Sequence, residues 1–293
     1  MTLETLVYDQ LVSNETLAGK LSSFLEAPAI FFGMAPDDTA PGWSKNQYPR
    51  IVYTIAKEAD NKRNTVGRLT VRLLSDSAGI LPDEIVPLIK DSMRWLFLTP
   101  EEGSSAFCFA WNRTDTYEIP KTEGKKAEGE RILLDDVTFD IYEYSDQHTT
   151  IPDPVEAMNR FLKAVVPQAC VFGLDEFPPR LFATDESPVI YCRLNAVECT
   201  QQNFAMAMMN AMISVHILCP DPGMRIKAAS SILTELQLIN RIGMSDQSPM
   251  LVQRVATNFG SDPLVTGQVA TVCLYTIPRH VEYRNPLNNI IFK

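Results

Sequence analysis

Apolar residues recur at Leu3, Leu6, Val7 and Leu11, then at Leu17, Leu21, Phe24 and Leu25, the 3.6-residue period of an amphipathic helix. Ser13-Asn14 is placed to divide that helix, with Ser13 capping the second part. Pro28 to Phe32 reads as a short strand. The period then changes to two. It predicts strands at 48–58 and 65–75, a helix over 82–97 with Ile85, Leu88, Ile89, Met93 and Leu96 inward, and a strand on which Phe107, Phe109 and Trp111 share one face. A further strand covers 137–144. In the second half the pattern predicts a helix from Asp153 to Val166 with Val155, Met158, Phe161, Leu162 and Val165 inward. It continues with strands at 187–197 and 205–218, a helix after Asp221 with Ile226, Ala229, Leu233 and Leu236 inward, and strands at 250–258 and 268–277.

Three landmarks occur twice in the same order. Tyr48 to Tyr53 is answered by Ser187 to Cys192, Val71 to Gly79 by Val215 to Gly223, and Val137 to Tyr144 by Val269 to Thr276, at offsets of 139, 144 and 132. Drifting offsets in a fixed order are what a duplicated domain with loop insertions leaves. The fold class expected is therefore α+β, two similar domains by internal duplication, each a mostly antiparallel sheet packed by helices. The domains are 1–146 and 151–293, joined by a linker around Gln147 to Asp153, and a chain of 293 residues suits two domains.

Charge separates the halves that the pattern makes alike. Residues 1–150 carry 15 Lys and Arg against 24 Asp and Glu, and residues 151–293 carry 11 against 12, for a net charge of −10 in all. An acidic surface repels phosphate and argues against tight binding to a nucleic-acid backbone. The start Met1-Thr-Leu-Glu4 has no export pattern, and no apolar run reaches the roughly 18 residues of a membrane span. Six cysteines without a CxxC pair read as reduced, buried thiols.

Chemistry is sparsely represented. Three histidines, His148, His216 and His280, form no metal-binding pair, and no P-loop, HExxH or GxSxG is present. The acidic doublets fall at loops and helix starts. No catalytic residue, metal or cofactor is expected, and the chain is not expected to be an enzyme. Met206, Met208, Met209 and Met212 read as core filling, with a malleable docking surface as the functional alternative.

Two loops are candidates for contact with other molecules. The first, 34–47, contains Asp37, Asp38 and a Trp43 without a periodic neighbour. The second, Pro120 to Glu130, holds Lys121, Glu123, Lys125, Lys126, Glu128 and Glu130 with two glycines, and has too little apolar surface to order itself.

An N-terminal helix, Pro28 to Phe32, Ala35 to Trp43 and Gln47 to Ile51, followed by a hairpin, a helix and two long strands, resemble the tail-terminator and tail-completion proteins of tailed bacteriophages. The resemblance covers about residues 1–145 and reaches 151–293 only through the internal repeat. It implies a virion structural protein, assembled in the host cytoplasm. Such a protein forms a homo-oligomeric ring, a hexamer or a trimer of this double-length chain, that caps the tail tube. The partners implied are the tail tube protein, the head-tail connector and, in a contractile tail, the sheath protein. DNA passes through the lumen without specific binding, and an acidic lining suits that passage. The rival reading is a two-domain ligand-binding or regulatory α+β protein.

Overall fold

A computed structural model of the chain describes residues 1–44, 46–59, 65–101, 105–120 and 131–279. The chain divides into two compact units, Met1–Asp146 with Glu176–Asp185, and Gln147–Asp175 with Glu186–Lys293. Each is α+β, a curled mixed sheet packed against helices.

The first unit begins with α1 (Leu3–Ser13) and α2 (Glu15–Lys20). Asn14, rather than Ser13, is the cap between them: its Oδ1 accepts the Leu17 N–H at 3.0 Å, while the Ser13 hydroxyl turns back to the Gln10 carbonyl at 2.8 Å. A two-stranded ribbon follows, β1 (Ser23–Phe24) with β2 (Ala27–Pro28). Then come β3 (Ile30–Phe32), β4 (Arg50–Ala56), β5 (Gly67–Asp76), a 3-10 turn at Pro82–Glu84, α3 (Val86–Met93), β6 (Leu96–Leu98), β7 (Ser105–Pro120) and β8 (Arg131–Ser145). The helix expected over 82–97 stops at Met93. Trp95 takes a left-handed φ of 56° and Leu96 enters a strand. A short apolar run after a helix has no period that separates the two states.

The second unit contains α4 (Pro154–Val165) and β9 (Cys170–Val171). β10 (Arg180–Phe182) pairs with β6 and so belongs to the first sheet, although it lies within the expected second domain. β11 (Val189–Gln202), β12 (Met206–Leu218), α5 (Pro222–Ile239), β13 (Arg241–Gly243), β14 (Pro249–Thr257) and β15 (Val269–Pro278) complete it. Asp153 anchors the start of α4: Oδ1 accepts the Val155 and Glu156 N–H groups and Oδ2 those of Thr149 and Thr150. On α5 the buried residues are Ala229, Ile232 and Leu236, while Ile226 is exposed. On a helical wheel Ile226 and Leu233 fall together on one flank of that stripe, which leaves Ile232 to face the sheet.

The sheet orders correspond. The first reads β10-β6-β7-β8-β5-β4-β3 and the second β13-β14-β15-β12-β11-β9, with the β3–β4 and β9–β11 pairs parallel and the remaining pairs antiparallel. Registers agree as well as order. Ile51 lies opposite Leu73 and Val71 opposite Val137, as Ile190 lies opposite Ile217 and Val215 opposite Val269. These partners reproduce the offsets of 139, 144 and 132 read from the sequence. Helices cover the face formed by Leu69, Val71, Leu73, Val137 and Phe139 in one unit and by Ala211, Ile213, Val215, Val269 and Cys273 in the other.

Candidate functional site

Two surfaces, one in each unit, carry side chains that the cores do not use. The first is built on the 34–50 segment. Trp43 is half-buried between Phe24 and Phe31, with ring centroids 5.0 and 5.8 Å away and edge-on geometry. Its indole N–H donates to the Asp37 carbonyl at 2.9 Å. The Asp38 carboxylate accepts from the Tyr48 hydroxyl at 2.9 Å and from Arg50 at 2.5 Å, and the Arg50 guanidinium lies 5.4 Å from the Trp43 ring and 4.8 Å from the Tyr48 ring. A cation over aromatic faces with a carboxylate at its end holds all four side chains in one arrangement. The loop is therefore braced, not a free arm, and the sequence signal for it was Tyr48 and Arg50 at the start of β4.

Around this brace apolar groups remain in water. Leu25 is 70%, Phe32 54% and Met34 82% exposed. Leu25 and Glu26 form the two-residue turn between β1 and β2, and both have positive φ, 49° and 68°. The Tyr53 ring lies 5.4 Å from that of Phe32, and its hydroxyl donates to the Glu4 carbonyl at 2.8 Å. Burial, followed by the nearby Glu4, Tyr8 and Asp9, pushes this phenol up to about 12. It is a structural tie without acid–base function near neutrality.

The second surface is the face of the second sheet that no helix covers among the described residues. Met206, Met208 and Met212 alternate out of β12 onto it, and Met206 and Met212 are 42% and 37% exposed. Met209 alone of the four methionines packs on the core, so core filling is corrected for the other three by the parity of the strand. Met212 lies opposite Val272, and with Arg254, Ala256, Ala270 and Asn195 they line a shallow groove of about 300 Å³. Arg254 has no ion pair or hydrogen bond among the described residues. His216, on the same face, is buried and bonded to the Pro263 carbonyl at 2.8 Å. Burial pulls its pKa down to about 4, against the pull of that carbonyl and with a smaller contribution from Arg193.

Asp37, Asp38 and Trp43 are thus brought together. Lys121, Glu123, Lys125, Lys126, Glu128 and Glu130 lie outside the described residues, although the strands they join pair up to Pro120 and Arg131. Among the described residues no three His, Cys, Asp or Glu side chains are placed to hold a metal ion. The residues that sequence reasoning missed are Leu25, Glu26 and Arg254, each an ordinary surface type whose position only the fold reveals. No family model, curated protein or solved structure matches the chain.

Proposed function

We propose that this chain is a structural assembly protein of the tail-terminator kind, the subunit of a ring that closes a tail tube and meets a head connector. The observation that carries the reading is the 34–50 brace. The residues on which the resemblance rests are locked to one another by Asp38, Trp43, Tyr48 and Arg50, and they surround exposed Leu25, Phe32 and Met34. A rigid, partly apolar surface without a catalytic constellation suits permanent association, because little side-chain freedom is lost on binding.

The matching strand orders and registers support an origin of the two units by duplication of one such subunit. Three chains then present six similar units, and six chains present twelve. The net charge of −10 suits a lumen through which DNA slides without sticking.

Electron microscopy of the purified chain, with its mass in solution, tests the reading. Annular particles of about 100 kDa for three chains, or about 200 kDa for six, are expected from a 32.8 kDa subunit. A chain that stays monomeric at every concentration would refute it and favour the two-domain binding protein.

A further inference from the structure

We propose that the Leu25–Glu26 turn of one copy docks into the Met212–Val272–Arg254 groove of another, joining copies head to tail. The inference rests on the ring-assembly reading and names the contact that would build it.

The turn has the form of a knob. A two-residue hairpin loop with both residues at positive φ is the place for Asn-Gly, which adopts that conformation at little cost. Leu and Glu stand there instead, at 49° and 68°. Backbone strain kept in this way clusters at ligand clamps and other functional sites. The knob is also firmly based. The Leu25 N–H bonds to the Gly42 carbonyl at 2.9 Å, and Phe24 beneath it packs on Trp43. A Cβ at Gly42 would lie 2.9 Å from Leu25 Cδ2, and the φ of 129° there favours glycine whatever the space. Leu25 is 70% exposed, and Glu26 is exposed without an ion pair or hydrogen bond among the described residues.

The groove is complementary in both respects. Its lining is apolar from Met212, Val272, Ala256 and Ala270, and it carries at Arg254 a cation without an ion pair among the described residues. An apolar side chain followed by a carboxylate satisfies both. The corresponding place on the first sheet cannot act in this way. Arg68 and Asp140 stand where Met212 and Val272 stand in the second, and they face one another at 3.6 Å. The knob thus finds its site only on the second unit. Different patches on the two partners make a heterologous contact, which propagates from copy to copy and closes into a ring where the rotation allows.

The test is sedimentation of the full chain over a concentration series, with Glu26→Arg, Arg254→Glu and the double variant. Both positions are exposed, and thermal unfolding checks that each variant is folded. Each single reversal is expected to weaken association roughly tenfold or more, and the double variant to recover most of it, because the ion pair is re-formed with its ends exchanged. Leu25→Asn serves as a second probe. Asn accepts positive φ more readily than Leu, so this variant is expected to fold at least as stably and yet associate less. Single reversals that associate like the parent, or a double variant no better than the singles, would overturn the docking. Annular particles that survive both single reversals would overturn it while leaving the ring reading intact. Association that depends on this pair but yields only open chains would keep the docking and remove the ring. A parent chain that is monomeric throughout would remove both.

Discussion

The same six-strand framework carries opposite outer faces in the two units. On the first sheet Arg72 grips Asp136 through two bonds, at 2.8 and 2.9 Å, and Arg68 faces Asp140, which also accepts from Asn112 at 2.8 Å. At the same register positions of the second sheet stand His216 and Gln268, then Met212 and Val272. The Asp136 bond raises the Arg72 pKa, whereas burial lowers that of His216. A strand pattern determines which residues turn outward, and leaves open what they meet there. One face is made to remain in water, and the other holds apolar groups that water serves poorly, beside a cation without an ion pair among the described residues.

The largest test concerns what the units have in common. Leu69 and Ile213 are equivalent and fully buried. Leu69→Ala and Ile213→Ala should each cost about 2–5 kcal/mol, each in the urea transition of its own unit. A neutral result at either position would break the correspondence of the cores.

The next test separates His216 from Arg72. With the folded pKa near 4 and an unfolded value near 6.5, the unfolded state binds more protons between those limits. Stability is therefore full above about pH 6.5 and falls as the solution is acidified, by about 3 kcal/mol on reaching pH 4. Substitution of His216 by Asn should flatten this dependence, measured as the melting temperature of the second unit against pH. An unchanged slope would show that other groups cause the acid loss.

An exchange of outer faces should move binding more than stability. Met212→Arg with Val272→Asp should shift stability by no more than about 1 kcal/mol, since such half-exposed pairs contribute little, while abolishing self-association. The converse, Arg68→Met with Asp140→Val, should increase binding of a hydrophobic dye. If both exchanges leave association and dye binding unchanged, the contrast between the faces has no consequence.

The smallest effect expected is that of Arg72→Ala. Its guanidinium is half exposed, so the loss is about 1 kcal/mol or less and should shrink as salt is added.

Much of this was legible in the chain. The two-residue period of 69–73 and 213–217 places those strands and their inward faces, because alternation follows from backbone geometry alone. Asp153 and Asp221 mark their helix starts, since a carboxylate before a Pro has little else to bond but the first free N–H groups. The short run 94–98 was not legible as a strand, nor was 180–182 as part of the first sheet. Neither segment has a period, and each is held by a partner distant in sequence. Trp111 shows the same limit. It follows Phe107 and Phe109 in parity, yet it is exposed, with Lys90 of α3 at 3.9 Å over its ring. Parity fixes a face but not how far along the strand the helices reach.

The sequence by itself determined where the long alternating strands of each half run, and that the first half is acidic and the second nearly neutral. These are properties of local geometry and of counted charges. Tertiary structure alone decided that Asp38 is bound to Arg50 and Tyr48, that Leu25 and Glu26 project from a strained turn, and that Arg254 stands beside Met212 and Val272. Each of these depends on which strands become neighbours, a choice made by burying the whole apolar face at once and carried by no single stretch of the chain.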